Sequence, residues 1–480
     1  MRKILYTLLM SVFFVACSEE ADFSVNPSLR LTFSCDTLMF DTLFTEVGSP
    51  TAAMKVYNRN SSSLHIGSVE LVSGGTSGFR MNVDGQYATV VRDVDIRKND
   101  SLYLFVEATL DKNSGDLPVL ISDSIQFTLE SGVQQYVALL AYGRDVEFMR
   151  GVVYDADSRL VKGHYVIYDS LVVATNATLT IEAGAILYFH KDAELIVRGT
   201  VKAMGETGSP VVMRGDRTDN MFDYLPYDRI PGQWGGVRID STSNGNLFIH
   251  CDIHSAEYGI LVQRGDTSVQ RLTIESSRIE NFDGNALETH MAHVDVTNSL
   301  IANSRGNCVK VIGGNVDFRH CTIANFYVWK QRDVALALYN SYEGEPAPLN
   351  NAFFANCIIT GSRSDELMGY FSDWDDTIPN SVNYLFESSL INTVEDEDNP
   401  NFINVVYDRK ENSCYAKDNF RLVDNEEFRY DFHLSDSSAA CGIASDKYSS
   451  VIRYDLDGLE RALQPSDAGC FIYQPIPSKE

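Results

Sequence analysis

Ser276-Ser-Arg-Ile-Glu-Asn-Phe282, Asn298-Ser-Leu-Ile-Ala-Asn-Ser304 and His320-Cys-Thr-Ile-Ala-Asn-Phe326 align without gaps. Their central residues Ile279, Ile301 and Ile323 are spaced 22 positions apart. A period in the twenties made of short β-type runs is typical of a solenoid, because each turn can bury its apolar side only against its neighbours. The spacing therefore predicts that the three isoleucines stack in one column along the axis of a coil.

Two further columns flank the isoleucines: Ser277, Ser299 and Cys321 precede them by two residues, and Asn281, Asn303 and Asn325 follow by two. Side chains of a strand alternate between its two sides, so the first column shares the inward side with the isoleucines. Asparagine tolerates the left-handed backbone of a sharp corner, and stacked amides can bond to one another. This pattern resembles the right-handed parallel β-helix of the pectate-lyase-like superfamily, in which an asparagine ladder marks one corner.

The repeat extends in both directions along the chain. His250-Cys-Asp-Ile253 fits the register upstream, and Asn356-Cys-Ile-Ile359 and Ser388-Ser-Leu-Ile391 fit it downstream. Before them, the stretch from Leu171 to Asp240 resembles the opening coils of a β-helix, with a Gly-Thr corner and a Trp-Gly-Gly segment. The resemblance covers residues 171 to about 393.

The N-terminal part has a different pattern, with short strand-like runs and turn clusters at intervals of about ten residues, which is typical of a β-sandwich. The predicted strands are Leu29–Phe33, Ala53–Tyr57, Leu64–Val72, Ser101–Ala108, Ser124–Leu129 and Gln135–Leu140. The region resembles the immunoglobulin-like modules that precede other domains in bacterial surface proteins.

These observations give an all-β fold class, a right-handed parallel β-helix preceded by an immunoglobulin-like β-sandwich. The predicted boundaries are 1–16 for a signal peptide, 17–28 for a tether, 29–145 for the sandwich, 146–400 for the β-helix, and 401–480 for closing coils and a C-terminal cap.

The first residues indicate export. Arg2 and Lys3 precede the apolar run Ile4–Val15, which is too short to span a bilayer and ends at Phe14-Val-Ala-Cys17. This resembles a bacterial lipoprotein signal with lipidation at Cys17. The acidic residues that follow are similar to the surface-export signal of Bacteroidetes lipoproteins. The resemblance implies an outer-membrane lipoprotein, exposed at the cell surface and attached to the membrane through its lipid anchor.

Composition excludes one class of partner. Lys and Arg number 39 against 66 Asp and Glu, a formal net charge of −27, whereas nucleic-acid binding needs a surplus of basic residues on one face. The eight cysteines after Cys17 form no CxxC or zinc pattern, and Cys251, Cys321 and Cys357 are expected to be buried in the inward column. Pairing among Cys414, Cys441 and Cys470 stays open at this stage.

The strand that follows each asparagine corner supplies the candidate site. Aligning Gly236–Ile239, Gly259–Val262, Ala286–Thr289 and Cys308–Val311 leaves a set of outward side chains on neighbouring strands about 4.8 Å apart. The outward residues are Arg238, Asp240, Leu261, Gln263, Glu288, His290, Lys310 and Ile312, and later turns add Tyr339 and Tyr370. This column combines acids, bases and aromatic rings.

Two kinds of function compete for the column. In a polysaccharide lyase, Lys310, Glu288 and His290 would be the catalytic residues, because that reaction needs a cation to neutralise a uronate and a base to remove a proton. Ca²⁺ is the cofactor to expect in that case. A glycoside hydrolase is disfavoured, because the paired-Asp and Gly-His-Gly patterns of the polygalacturonase branch are missing. In a binding protein the same surface simply contacts a ligand, with Arg238, Asp240, Gln263, Tyr339, Tyr370 and Trp374 as ligand-binding residues.

Metal sites are not predicted elsewhere. His250, Asp252 and His254 would point to solvent, and the acidic runs at 373–376 and 395–398 are more typical of solvated loops than of calcium sites. The favoured function is therefore a surface lipoprotein that contacts a glycan or another extracellular polymer as a binding or adhesive module. A lyase acting on uronic-acid polysaccharide is the alternative, and an adhesin for a host protein is the third.

Overall fold

The computed structural model describes residues 23–113, 115, 117–222, 224–372, 382–394, 396, 398–412, 414–463 and 465–475. The chain divides into two compact units, Met1–Asp145 and Val146–Glu480. Each unit contains a hydrophobic core of its own. Among the described residues, none of the helices has the length and apolar character needed to cross a bilayer.

The first unit is a β-sandwich of two five-stranded sheets. In spatial order one sheet contains Thr32–Phe33, Ala52–Asn58, Asp100–Ala108, Phe79–Val83 and Gln86–Tyr87, and the other contains Thr37–Phe44, Gln134–Arg144, Val119–Leu129, Leu64–Leu71 and Val90–Ile96. Pairing is antiparallel except between Thr37–Phe44 and Gln134–Arg144. The inward halves of the alternating strands share one core, where the rings of Phe33 and Phe127 from opposite sheets lie 4.8 Å apart. Whether this sandwich is immunoglobulin-like stays a prediction.

The second unit is a parallel β-helix, built from 26 strands that pair in parallel with the strands of the turns before and after them. Its turns form three long faces, which we name A, B and C in chain order.

Each face is a stack of short parallel strands. Face A contains Ser158–Leu160, Thr178–Glu182, Thr200–Met204, Asn246–Ile249, Gln270–Glu275, the second halves of Leu287–Thr297 and Val309–Arg319, Leu349–Ala355, Val382–Glu387 and Phe402–Ile403. Face B contains the first halves of Glu147–Tyr154 and Gly163–Val173, then Ala185–Phe189, Val211–Gly215, Cys251–His254, Arg278–Phe282, Leu300–Ser304, Thr322–Asn325, Ile358–Gly361, Leu390–Ile391 and Val406–Tyr407. Face C contains the second halves of Glu147–Tyr154 and Gly163–Val173, then Glu194–Val197, Gly236–Ile239, Ile260–Val262, the first halves of Leu287–Thr297 and Val309–Arg319, Leu336–Tyr339 and Leu367–Tyr370.

The isoleucine column lies on face B and has the predicted register. Ile279 pairs with Ile301, and Ile301 pairs with Ile323, each fully buried inside the coil. The small-residue column beside it is also buried, and the backbone N–H of Ser277 donates to Ser299 Oγ over 3.1 Å. The prediction of an all-β chain with a parallel β-helix after a β-sandwich is confirmed.

The asparagine corner differs from its prediction. Asn281 and Asn303 have φ angles of 73° and 55°, but Asn325 is not in the left-handed region. The Asn325 amide instead donates to the backbone oxygen of Ser304 in the preceding turn, 2.9 Å away, and the backbone N–H of Phe326 donates to Asn303 Oδ1. Because these side chains bond to backbone groups, they join neighbouring turns without an amide-to-amide ladder between them.

The described residues from 414 onward form a segment that lies along the outer side of face B. We name residues 414–475 the cover segment; it contains the hairpin Phe420–Asp424 and Arg429–Leu434, a short 3-10 helix Ala416–Asn419 and a short α-helix Asp446–Ser449. Phe420, Phe432 and Phe471 belong to the same buried hydrophobic cluster as Leu300 and Ile358 of face B. Two small hairpins, Asn220–Phe222 with Leu225–Pro226 and Ser341–Tyr342 with Glu345–Pro346, and the 3-10 helix Tyr227–Arg229 lie in the loops between turns.

All eight cysteines of the described residues are free thiols. Cys251, Cys321 and Cys357 are buried in the inward column of face B, as expected. Cys470 is also buried, and its backbone N–H donates to Thr322 Oγ1. The pairing that the sequence left open among the last three cysteines is therefore not formed.

Candidate functional site

Glu288, His290 and Lys310 converge on the outer side of face C. Strand pairing places Glu288 directly beside Lys310, with His290 two residues further along the same strand as Glu288. Glu288 Oε1 lies 2.7 Å from His290 Nε2 and 3.2 Å from Lys310 Nζ. Asn285 donates its side-chain N–H to Glu288 Oε2 over 2.5 Å. The carboxylate is thus bonded on both oxygens by groups from two neighbouring turns.

The surroundings of Glu288 keep it ionised. Burial alone would raise the pKa of its carboxyl, but the hydrogen bond with His290, the charge of Lys310 and the Asn285 amide outweigh burial and lower the pKa to about 2. A carboxyl with this pKa carries a negative charge at neutral pH and has no proton to donate. Glu288 therefore acts as the anchor that orients His290 and Lys310.

Aromatic residues continue the site along the same face. Tyr339 occupies the next turn after Lys310, whose Nζ lies 5.6 Å from the centre of the tyrosine ring. Tyr370 follows one turn later, with its ring stacked on that of Tyr339 at 4.5 Å. Tyr342, which was not predicted in this column, contacts His290 with the two rings in an edge-to-face arrangement. These contacts produce a continuous row of side chains from His290 to Tyr370, parallel to the coil axis.

Arg238 and Asp240 form a second cluster on earlier turns of face C. Arg238 lies 3.3 Å from Glu194, and Asp240 lies 3.3 Å from Arg198. Leu261 occupies the turn between Arg238 and Glu288, so the two clusters are not in direct register contact. Gln263 is half-buried, and its backbone oxygen accepts a hydrogen bond from Arg271.

Ile312, expected to point outward, is only 1% exposed. The two residues after it, Gly313 and Gly314, have φ angles of 62° and 87° and turn the chain sharply toward face A, so the simple alternation ends at Ile312. Trp374 lies outside the described residues, as does the acidic loop at 373–376.

A groove of about 400 Å³ adjoins Glu288 at the corner between faces B and C. Tyr258, Asp283, Asn285 and Arg305 are among its lining residues. Asp283 is held by Arg305 at 3.3 Å and by Lys330 at 3.1 Å. Sequence reasoning missed this corner because its residues come from turns, where period-two alternation gives no orientation.

The donor set on face C does not fit a calcium ion. Ca²⁺ needs several oxygen ligands, whereas Glu288 has Lys310 beside it and Asp240 is paired with arginines. Within the part of the chain that the structure describes, no group of three or more His, Cys, Asp or Glu side chains has the geometry of a metal site.

His250, Asp252 and His254 are not a solvent-facing row, in contrast to the prediction. His250 occupies a corner, with φ of 46°. The imidazole of His254 is enclosed, with Nδ1 2.7 Å from Asp252 and Nε2 2.8 Å from Asp228. Asp228 reaches His254 from the loop after Leu225–Pro226, which the strand pattern of the sequence did not reveal.

Comparisons with known proteins give limited similarity. No protein-family model and no curated protein sequence matches the chain. Among solved structures, a family 28 exopolygalacturonase from Yersinia enterocolitica aligns over 74% of this chain and 90% of its own, with 10% identity and a TM-score of 0.29. A family 123 glycoside hydrolase from Clostridium perfringens aligns over 25% of this chain and 30% of its own, with 10% identity and a TM-score of 0.19. A protein of unknown function from Porphyromonas gingivalis W83 aligns over 28% of this chain and 61% of its own, with 16% identity and a TM-score of 0.19. The strand ladders themselves therefore carry the fold assignment, and they show a parallel β-helix that follows a β-sandwich.

Proposed function

We propose that face C binds an extended polymer, a glycan in the first instance, along the row from His290 to Tyr370. The single observation that supports this is the continuity of charged and aromatic side chains over successive turns, with Lys310 beside the Tyr339 ring and Tyr339 stacked on Tyr370. Successive strands are about 4.8 Å apart, so the row offers repeated contacts to a ligand that lies parallel to the axis. Aromatic rings supply flat apolar area, and the charged groups supply hydrogen bonds.

Binding without turnover fits the electrostatics better than catalysis. A lyase needs a base that can accept a proton from the substrate. Glu288 is a weak base, with its pKa lowered to about 2 by groups that outweigh the effect of burial, and Lys310 is committed to an ion pair with it. The lyase remains the second candidate because His290 and Lys310 do meet at one carboxylate.

The test is binding of the full chain to a panel of neutral and uronic-acid polysaccharides, measured by affinity electrophoresis, with ultraviolet absorbance of the mixture followed in parallel. We expect retardation by at least one polysaccharide and no unsaturated product. Tyr339→Ala and Lys310→Ala should weaken the retardation, whereas Lys202→Ala, an exposed lysine on face A, should not. Product formation that Lys310→Ala abolishes would establish the lyase instead. Loss of binding after protease treatment of the ligand would indicate that the ligand is a protein.

The proposed location of this activity is the cell surface. Cys17 and the signal-like residues before it lie outside the described residues, so lipidation remains a proposal based on the sequence pattern. Expression of the full chain in a Gram-negative host with radiolabelled palmitate should label the wild type. Labelling of a Cys17→Ala variant to the same extent would contradict the proposed anchor.

A further inference from the structure

A second cleft opens beside face B, on a different side of the β-helix from the row on face C. Its volume is about 450 Å³, within the range of small-molecule binding sites. It lies where the polar outward residues of face B meet the hairpin of the cover segment. The lining residues are Asp228, Arg229, Asp252, His254, Ser255, Glu280, Asn281, Asn303, Tyr327, Trp329, Leu422, Phe428, Arg429 and Tyr430.

The floor of the cleft contains ionisable side chains that are paired with one another and two that are not. His254 is held between Asp228 and Asp252, and Asp228 also accepts from Arg214 at 2.9 Å. Glu280 is the strand neighbour of His254 on the next turn. Among the described residues, neither Glu280 nor Arg229 has a hydrogen-bond or ion-pair partner for its charged group. The Glu280 carboxyl, whose pKa is raised by burial and by the charge of Asp252, and the Arg229 guanidinium are therefore left unbonded in the cleft.

One wall of the cleft is aromatic. The rings of Trp329 and Phe428 stack with centroids 4.2 Å apart and planes 14° from parallel. Tyr430 lies on the same hairpin, and Leu422 is 40% exposed. The wall thus presents flat apolar area next to the open polar groups of the floor.

Phe428 has an unusual backbone. Its φ of 52° is in the left-handed region, which costs a bulky residue about 1–2 kcal/mol. Phe428 is the last residue of the turn that joins the two strands of the hairpin. Here the strained residue is the one whose ring completes the aromatic wall on Trp329.

The ionisable groups that line the cleft include both acids and bases. The acidic residues are Asp228, Asp252 and Glu280. The basic residues are Arg229, Arg429 and His254, whose imidazole is paired with Asp228 and Asp252. Burial opposes a charge on His254, but the two carboxylates outweigh it and raise its pKa to about 10, so the imidazole is positive at neutral pH. Arg429 is already paired with Glu427 at 2.6 Å.

We propose that this cleft binds a neutral sugar ring. One face of the ring packs on the aromatic wall formed by Trp329 and Phe428, and its hydroxyl groups form hydrogen bonds with Glu280 and Arg229. A sugar has an apolar ring face and a hydroxyl rim, and hydroxyls both donate and accept, which matches an aromatic wall beside an open carboxyl and an open guanidinium. The site is separate from face C, so it does not depend on the polymer-binding row.

The experiment is isothermal titration of the full chain with neutral disaccharides of glucose, galactose, mannose and xylose, alongside a glucosamine and a galacturonic acid disaccharide. We expect at least one neutral disaccharide to bind. Trp329→Ala and Glu280→Ala should each weaken that binding by at least about tenfold, which corresponds to about 1.4 kcal/mol. Trp329→Phe, which keeps a flat ring, should retain most of it.

Controls exclude a general effect of substitution and misfolding. Lys202→Ala, an exposed lysine on face A outside both proposed sites, should bind the disaccharide as the wild type does. Circular dichroism should show that Trp329→Ala and Glu280→Ala are folded. The proposal is overturned if no neutral disaccharide binds at millimolar concentration, if a charged disaccharide binds more tightly, or if folded Trp329→Ala binds like the wild type.

Discussion

Two histidines, His254 in a strand of face B and His320 at a corner just before one, illustrate how one residue type takes opposite roles in this coil. His254 contacts two carboxylates, which favour its protonated form. His320 is fully buried in a neutral network, in which its Nε2 accepts from the Asn356 amide and its Nδ1 faces the backbone oxygen of Gly469. Burial, reinforced by the charge of Arg461, lowers the pKa of His320 well below its usual value. The two residues should therefore give opposite pH dependences of stability.

For His254 the folded-state pKa lies above the unfolded value of about 6.5. Its two carboxylate partners, acting against burial, raise it to about 10. The stability that it contributes is complete below pH 6.5 and is lost as the pH rises toward 10, by up to about 1.4 kcal/mol per pH unit. We expect His254→Gln to flatten this part of the profile in urea unfolding between pH 7 and 9. An unchanged slope would show that His254 is not charged in the folded protein.

For His320 the sign is reversed, because the folded-state pKa lies below the unfolded one. Its contribution is complete above about pH 6.5 and falls as the pH decreases, since only the unfolded chain takes up the proton, again by at most about 1.4 kcal/mol per pH unit. Urea unfolding of His320→Gln between pH 5 and 6.5 should show a shallower loss than the wild type. The absolute stability of the variant is not the readout, because Gln also alters a buried network.

At this scale the sequence predicts contacts between strands better than contacts from loops. Two simple rules, alternation along a strand and a constant coil length, placed Glu288, His290 and Lys310 in one outward column. The contacts of Glu288 with His290 at 2.7 Å and with Lys310 at 3.2 Å are visible only in the structure. His254 was misplaced because Asp228 arrives from a loop. No periodicity in the sequence encodes the path of that loop.

The cover segment is the element that explains the outer side of face B. Strands such as Leu300-Ile301-Ala302 are buried on both sides, inward against the coil and outward against the cover segment. A strand buried on both faces reads as a continuous apolar run. Only the inward isoleucine of each run entered the prediction, whereas the apolar residues beside it were the available signal for a covering layer.

Phe432 should be an energetic centre of this layer. It is 3% exposed and packs between Phe326, Phe420 and Tyr430. Removal of a buried phenylalanine side chain costs about 3–5 kcal/mol. We expect Phe432→Ala to lower the urea midpoint clearly, whereas Leu422→Ala on the same hairpin, 40% exposed, should change it little. Equal effects of the two substitutions would contradict the packing described.

In the sandwich, strands with clean alternation were predicted and others were missed. The six predicted runs all overlap strands of the structure. The strand Thr37–Phe44 was not predicted because three consecutive apolar residues interrupt its alternation. The strand Val90–Ile96 was not predicted because it lies at a sheet edge, where acidic and basic residues occupy its exposed side. Both are cases in which neighbouring strands, and not local pattern, determine the structure.

On the scale of the whole molecule, the two units have separate cores and should unfold separately. The three tryptophans, at 234, 329 and 374, all lie after Asp145, so tryptophan fluorescence reports only on the second unit. Phe127→Ala removes a fully buried ring from the sandwich core. We expect urea unfolding of this variant to show an earlier sandwich transition in far-ultraviolet circular dichroism, while the transition followed by tryptophan fluorescence stays unchanged. A shift of both signals together would show that the units unfold as one.

The cover segment also has a mechanical consequence for a protein proposed to hold a polymer. The strand-to-strand hydrogen bonds of a β-helix run along its axis, so tension applied end to end would peel the turns apart one after another. The cover segment crosses several turns, with Asp457 bonded to Arg278, Cys470 to Thr322 and Ser445 to Asn356. It therefore acts as a lateral brace, which makes these turns share a pulling force instead of yielding singly.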